Sequence, residues 1–241
     1  MFVGRTMSFV FFWAIIVSIC MSGVLILVGL VALAGLSVAL SKLSEKRRAK
    51  DLAAAANRLG FSYQKKVDPM AVMPSGSFVL FRKGDSRSCA NVMWQKVDGF
   101  AVTHFDFLYT VGFNNSARDC SQTVTMFQTS RLNFPGFFLT SKGFFEKIDD
   151  ALRGNSINFT DFAIFSKSYL LRSENEERIR WLFSEDILHF FEAHLGYTVE
   201  AWQNTLIVYH PGQLLRPKDL ERELVGRREI FEALRGRAKP G

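Results

Sequence analysis

Residues 100–111 read Phe-Ala-Val-Thr-His-Phe-Asp-Phe-Leu-Tyr-Thr-Val and form the longest alternating pattern in the chain. In an extended backbone successive side chains point to opposite faces, so Phe105 and Phe107 share one face and His104 and Asp106 share the other. This period of two predicts a single β-strand over the whole stretch. The combination of an apolar face and a more polar face is typical of a half-buried sheet.

Shorter apolar runs on both sides of this stretch predict further strands. The polar segment 112–120 is typical of a hairpin loop, so the residues after it can pair back on the long strand. Residues 64–77 hold two prolines and little periodicity, and we expect a loop there. The other predicted strands are residues 78–81, 91–97, 122–128 and 137–140. Because short loops join successive strands, we expect an antiparallel sheet.

The last third of the chain carries helical patterns. Ser173 and Glu176 have the spacing of a capping box, which predicts a helix start at the serine. A second start follows at Ser184, and Gly196 is placed to end that helix. The alternative is one unbroken helix across both segments, which would have to be covered on two sides.

The end of the chain completes an α+β fold. A strand hairpin is predicted around Gln203-Asn204, and Pro217 suits the first turn of a final helix. We expect an antiparallel sheet packed with C-terminal helices in a domain of residues 61–241. Residues 1–41 are assigned to an N-terminal transmembrane anchor and residues 42–60 to a basic juxtamembrane helix, or stalk.

The anchor is inferred from residues 7–40, a run of 34 residues without one charged side chain. As a helix this run would reach about 50 Å, which exceeds the roughly 30 Å of a bilayer hydrocarbon core. We expect a single span, because two spans and a turn need more residues. A signal peptide cleaved near Ala32-Leu33-Ala34 is the alternative, but its apolar part is usually only about 7–15 residues long.

Positive charge is concentrated directly after this run. The chain has 30 Lys and Arg against 23 Asp and Glu, a net charge of +7, yet residues 51–241 contribute only +2, from 24 bases and 22 acids. Between residues 42 and 50 one acid faces five bases, namely Lys42, Lys46, Arg47, Arg48 and Lys50. Since such an excess stays cytoplasmic, we expect a single-pass protein of the cell inner membrane with its N-terminus outside and its domain in the cytoplasm.

The five bases are also expected to contact anionic lipid headgroups, each contributing about 1 kcal/mol near the surface. The remainder of the chain is close to neutral, which excludes a polybasic nucleic-acid binder. The lipid bilayer is therefore the first expected partner, and nucleic acid is not expected.

Small residues recur along one side of the predicted span, at Ala14, Ser18, Ser22, Gly29 and Ala32. Such a face lets two membrane helices approach closely. It predicts packing against a second copy of the chain or against the helix of a transporter. The alternative is that Gly, Ala and Ser are simply common in membrane helices.

Common catalytic motifs are absent from the sequence. It has no GxGxxG after a strand, no GxxxxGK[ST], no HExxH, no CxxC and no GxSxG, so we expect no cofactor. His104 and Asp106 remain as candidate catalytic residues, because their side chains share a strand face about 6–7 Å apart. That spacing suits two ligands of one ion or a bridged water, and the alternative is a polar outer face of the sheet.

Two further histidines and one cysteine carry groups that could be reactive. His189 and His194 are five residues apart and therefore point in different directions from a helix, while Glu185 lies one turn before His189 and could pair with it. Cys120 would need neighbouring cations to become a reactive thiol, and Arg118 is opposed by Asp119.

Residues 165–172 read Phe-Ser-Lys-Ser-Tyr-Leu-Leu-Arg and precede a segment, 174–183, that ends in Arg-Trp-Leu-Phe. With these go three shorter segments, residues 104–109, 122–124 and 206–209. Together they resemble a family of functionally uncharacterised bacterial membrane-anchored proteins over most of residues 55–235. The resemblance implies a bacterial source and a recurring fold. Because the family has no established activity, it implies no catalytic or binding residue.

These observations favour a non-enzymatic domain that binds or scaffolds a protein partner at the cytoplasmic face of the membrane. The alternative is a membrane-bound, hydrolase-like enzyme with its site around His104 and Asp106. A third hypothesis is an accessory subunit that packs its transmembrane helix against a transporter.

Overall fold

The computed structural model describes residues 4–238 apart from 75, 77, 98, 114, 115 and 146–154, with side chains from residue 30 onward except at 144 and 145. The chain divides into two compact units, Met1–Arg48 and Ala49–Gly241. Within the described residues, nine antiparallel strands form one sheet that is accompanied by helices. The expected α+β class with an antiparallel sheet is confirmed.

The first helix, α1, covers Gly4–Arg58. Gly60, the last residue of the predicted stalk, follows the last helical turn and has a φ of 76°. The Phe61 amide donates to the Ala56 carbonyl at 2.9 Å, the bond that closes such a helix end.

The membrane span stays a prediction. Among the helices of the described residues, none combines the length and the apolar character needed to cross a bilayer. Four of the five proposed packing residues, Ala14, Ser18, Ser22 and Gly29, lie outside the residues whose side chains are described. The fifth, Ala32, is exposed.

The strands are bounded as follows: β1 Ser62–Val67, β2 Asp85–Val97, β3 Phe100–Val111, β4 Arg118–Gln128, β5 Phe134–Ser141, β6 Asn155–Ser156, β7 Tyr169–Ser173, β8 Thr198–Gln203 and β9 Thr205–Tyr209. They lie in the order β1-β2-β3-β4-β9-β8-β5-β7-β6. The first four strands form a meander, and the β8–β9 hairpin lies between β4 and β5. The hairpin predicted around Gln203-Asn204 thus links the two halves of the sheet.

The other helices are α2 Pro69–Val72, α3 Lys142–Phe145, α4 Ala163–Ser168, α5 Glu176–Leu182, α6 Glu185–Ala193 and α7 Leu220–Arg235. The helical conformation is interrupted at Phe183 and Ser184, between α5 and α6, so the two-helix interpretation is correct. The start of α5 is two residues later than predicted. Asn175 caps it by accepting from the Arg178 amide at 3.0 Å, whereas Ser173 ends β7 and donates to the Gly136 carbonyl at 2.6 Å.

Two predictions for the segment before β2 are wrong. Residues 78–81 form no strand, and Leu80–Arg82 is a turn of 3-10 helix. Phe78 and Phe81 are buried because this segment packs over the sheet. In the sequence, a short apolar run looks the same whether it is a buried strand or a covering segment. The predicted loop 64–77 contains four of the six residues of β1. The lysines of this strand are typical of an edge strand and give no apolar alternation.

The two faces of the sheet are covered by different parts of the chain. On one face the β3 and β4 side chains pack with α7, where the rings of Phe127 and Phe231 stack at 4.6 Å. On the other face Phe81 packs edge-on against Phe107 at 5.2 Å. The end of α1 contributes Leu52 to the first face. Both faces of the central strands are therefore covered.

Candidate functional site

His104 and Asp106 share one face of β3, as predicted, but both lie in the interior. Their exposed fractions are 1% and 3%. The end of α1 and the segment before α7 cover this face, with Leu52 and Leu215 in one apolar cluster with Met93, the cross-strand neighbour of His104. The interpretation of this face as a polar outer surface is therefore wrong.

Asp106 is held by hydrogen bonds from neighbouring strands. Its Oδ1 accepts from Thr123 Oγ1 at 2.7 Å and its Oδ2 from Asn91 Nδ2 at 2.8 Å. Asn91 lies at an irregularity of β2 with a φ of 49°, and Tyr63 donates to its side-chain oxygen at 2.8 Å. The amide of Leu215 donates to the same Thr123 hydroxyl at 2.8 Å. The carboxylate thus joins three strands to the segment before α7.

Arg227 of α7 enters the same buried region. It is 1% exposed, and its Nη1 donates to the Thr123 carbonyl at 3.0 Å and to Thr125 Oγ1 at 3.1 Å. Thr125 Oγ1 also lies 2.7 Å from His104 Nδ1. Burial lowers the pKa of Arg227, and the carboxylate of Glu223, 3.7 Å from its Nε, opposes that shift.

We call Asn91, His104, Asp106, Thr123, Thr125 and Arg227 the polar network. Its hydrogen bonds connect β2, β3, β4 and α7, so its visible role is to fix these elements in register. Within the described part of the chain, no group of three His, Cys, Asp or Glu residues could hold a metal ion.

The other reactive residues do not converge on the polar network. His189 is exposed and lies 3.0 Å from Glu192 Oε2, so its acidic neighbour is not Glu185. The ring of His194 lies 2.8 Å from the Phe190 carbonyl through Nδ1. Cys120 is half-buried on β4, with its Sγ 4.0 Å from the Arg118 carbonyl. The other described cysteine, Cys89, is buried, and burial raises the pKa of its thiol to about 12, which makes it unreactive at neutral pH.

The predicted membrane-surface bases point into solvent with one exception. Lys42, Lys46, Arg47 and Lys50 are exposed, and Arg48 is half-buried. Exposed cations of this kind are available to an anionic surface.

A cleft opens elsewhere, where β5, β7 and β8 reach the same end of the sheet. It has a volume of about 350 Å³. We call it the strand-end cleft; its lining includes Arg82, Phe134, Gly136, Arg172, Arg178 and Trp202. The volume lies at the lower end of the range of small-molecule sites.

The strand register places part of this lining on one face. Phe138 lies opposite Arg172 on β7 and opposite Glu200 on β8. Neighbouring strands are about 4.8 Å apart, so the three side chains stand side by side across roughly 10 Å. Trp202 follows Glu200 by two residues and extends the same face toward the strand end.

Glu200 attaches residues 78–82, which cover one face of the sheet and are called the covering segment, to strand β8. The carboxylate is 2% exposed; Oε2 accepts from the Val79 amide, and Oε1 accepts from the Leu80 amide at 3.1 Å and from the Tyr209 hydroxyl at 2.8 Å. Burial raises the pKa of Glu200, and these three hydrogen bonds oppose the shift. The carboxylate is buried and both oxygens are directed to these donors, so Glu200 shapes the cleft without presenting an exposed acceptor to it.

Trp202 lies between two glycines. A Cβ at Gly136 would lie 2.7 Å from the indole ring, and one at Gly76 would lie 2.8 Å from it. Between Phe134 and Phe137 the pairing of β5 with β8 is irregular, and Gly136 lies within that irregularity. Any residue larger than glycine at position 76 or 136 would therefore collide with the indole ring of Trp202 in its observed position.

Two of the cleft arginines have no acidic partner among the described residues. Arg82 is exposed, and its guanidinium makes neither an ion pair nor a hydrogen bond to any of them. Arg178 is half-buried, and its Nη2 donates to the Asn133 carbonyl at 2.6 Å. Glu174 is the exposed acid of the lining. The cleft is therefore rich in cations.

Sequence reasoning did not find the strand-end cleft. Its residues come from four segments between positions 79 and 203, and no spacing between them is regular. Trp202 and Gly136 could have been singled out only with the register of β5 and β8 in hand.

Comparison with known proteins gives a likeness of fold. No family model matches the chain, and no curated protein matches it either. The crystal structure of the mycobacterial trehalose monomycolate transport factor A, TtfA, matches with a TM-score of 0.55 and 17% sequence identity. The match covers 78% of this chain and 94% of TtfA. At this identity the likeness establishes that the two chains share a fold.

Proposed function

We propose that this protein is a non-enzymatic, membrane-associated binding protein whose α+β domain works at the cytoplasmic face of the inner membrane. In this proposal residues 7–40 are the single anchor, and the basic residues that follow lie against anionic headgroups. The bound partner, a protein or a small molecule, meets the domain at the strand-end cleft. Two copies could also associate through the small-residue side of the anchor.

The observation that carries the non-enzymatic part is the burial of His104 and Asp106. A hydrolase-like site needs both side chains to reach substrate. Here the two groups are 1% and 3% exposed and are hydrogen-bonded to threonines and an asparagine. The open cleft instead offers arginines and an indole ring, which suit binding.

The likeness to TtfA supports the same direction at the level of fold. TtfA is described as a transport factor for trehalose monomycolate. We take from it only the idea of an accessory role in a membrane process.

Membrane location is tested with a reporter fused after Gly241 of the full chain. We expect the chain in the membrane fraction and a reporter that is active only in the cytoplasm. Periplasmic activity, or recovery of the intact chain in the soluble fraction, would refute this part of the proposal.

Binding is tested by placing a photo-crosslinking amino acid at Gln203, on the rim of the cleft, in living cells. The matched control places the same group at Lys65 on β1, five strands and roughly 24 Å away across the sheet. We expect a discrete adduct from position 203 that is absent from position 65, as measured by intact mass spectrometry. Equal labelling at both positions, or no adduct at either, would contradict a binding role for the cleft.

A further inference from the structure

We propose that the strand-end cleft binds a small amphiphilic anion, with a carboxylate or phosphate group at the arginines and an apolar part on Trp202. This inference rests on the proposed function, because it names the ligand class of the same site. The occupant is a small molecule, since a volume of about 350 Å³ is too small for a folded partner.

The charge of the lining argues for an anion. Arg82 lacks an acidic partner among the described residues, and Arg178 uses one nitrogen to bind the Asn133 carbonyl. A guanidinium has five donors in a planar fork, so both side chains keep donors for a ligand. Planar forks match the oxygens of carboxylate and phosphate groups.

The acids of the lining do not cancel this charge. Glu200 is 2% exposed, and both of its oxygens are directed to donors of the covering segment and Tyr209, so it presents no accessible carboxylate to a ligand. Glu174 remains as a single exposed carboxylate. Arg82 and Arg178 both line the cleft beside it, so these two cations outnumber the one exposed carboxylate, and an anion is favoured over a cation.

The apolar part of the ligand is inferred from the same wall. Trp202 is held in place by close contact with Gly76 and Gly136, and buried Phe138 lies beyond it on β5. A rigid indole that is half-exposed offers apolar area at little cost in side-chain entropy. An inorganic anion would leave this surface unused.

The test uses the full chain in nanodiscs of zwitterionic lipid, with tryptophan fluorescence and calorimetry as readouts. The probes are phenyl phosphate and 3-phenylpropanoate, which distinguish the two anionic groups. Inorganic phosphate tests the anion alone, and 3-phenylpropylammonium tests the opposite charge. We expect saturable binding of at least one aryl anion, at least about tenfold weaker binding of inorganic phosphate, and none of the cation.

Variants locate the site. Arg82→Gln should weaken aryl-anion binding about tenfold or more, because a charge-assisted contact is lost, and Arg82→Lys should restore part of it. Lys65→Gln on β1 also removes one exposed positive charge and should change nothing. Trp202→Phe should abolish most of the fluorescence change while calorimetry still detects binding.

Three results would overturn the inference. They are the absence of saturable binding up to about 10 mM probe, equal binding of the ammonium compound, and an Arg82→Gln variant that binds like the parent protein. In each case a position-specific adduct at Gln203 would still support the proposed function. The ligand class and the binding role therefore fail separately.

Discussion

Replacement of Arg227 by methionine should strongly destabilise the domain. The guanidinium is 1% exposed and donates through Nη1 to the Thr123 carbonyl, to Thr125 Oγ1 and, at 3.4 Å, to the Val208 carbonyl. Methionine fills much of the volume but supplies none of these donors. It also leaves Glu223, whose carboxylate is 3.7 Å from Nε, without its buried cation.

The expected loss follows from the balance between desolvation and bonding. Removing one partner of a buried charged pair typically costs about 3–5 kcal/mol. Glu223 is 17% exposed and still has His210 at 3.6 Å, so the lower end, about 3 kcal/mol, is the better estimate. With a urea slope of roughly 2 kcal/mol per molar, the unfolding midpoint should fall by about 1.5 M.

The assay is urea unfolding of the purified full chain, followed by tryptophan fluorescence and by circular dichroism. Arg228→Met is the matched control, because this neighbour on α7 is 52% exposed and its ion pair with Glu232 spans 3.8 Å. We expect the control to stay within about 0.5 kcal/mol of the parent protein. If Arg227→Met unfolds at the same urea concentration as the control, the polar network does not stabilise the fold as argued.

Three further outcomes are expected. Burial raises the pKa of Glu200 above its ordinary value of 4.5, so its contribution to the free energy of unfolding is complete below about pH 4.5 and is lost as pH rises through the folded pKa. The free energy of unfolding of the parent protein minus that of Glu200→Gln, measured by urea titration, should therefore fall over that pH range. A difference that stays constant with pH would contradict this prediction. The pKa of Glu223 is lowered, chiefly by its hydrogen bond with His210, so its contribution to the free energy of unfolding is present above pH 4.5 and is lost as pH falls through the folded pKa. The difference in stability between the parent protein and Glu223→Gln should therefore rise with pH, opposite to the difference for Glu200→Gln. A change of the same sign for both variants would be inconsistent with the structure. Gly136→Ala should shift tryptophan emission and weaken aryl-anion binding, because the new Cβ would lie 2.7 Å from the indole; Gly143→Ala, with nothing within 4 Å, should leave both unchanged, and identical spectra for the two variants would count against the packing described.

Alternation in the sequence predicted the elements that pair locally. The strand at residues 100–111 has the predicted bounds, and the hairpin around Gln203-Asn204 forms as expected. Both follow from side-chain period and turn residues, which act over a few positions. The edge strand β1 was missed because it has polar side chains on both sides.

The site was less predictable, for a physical reason. The period of β3 placed His104 and Asp106 on one face, but their burial depends on Leu52 and Leu215, which lie more than 50 residues away on either side. The strand-end cleft depends even more on distant pairing, because Arg82 and Trp202 meet only through the covering segment and the sheet order. A local pattern carries no information about such contacts.

The position of the β8–β9 hairpin has a consequence for biosynthesis. Strands β1–β4 can pair with one another as they leave the ribosome. Strands β5 and β7 cannot join the same sheet until residues 198–209 have emerged, because β8 and β9 lie between β5 and β4. Until then two half-sheets each expose an open, hydrogen-bonding border, which is the kind of surface that recruits other chains. A nascent polypeptide stalled before residue 198 should therefore aggregate or depend on chaperones, whereas release after residue 209 should let the halves close.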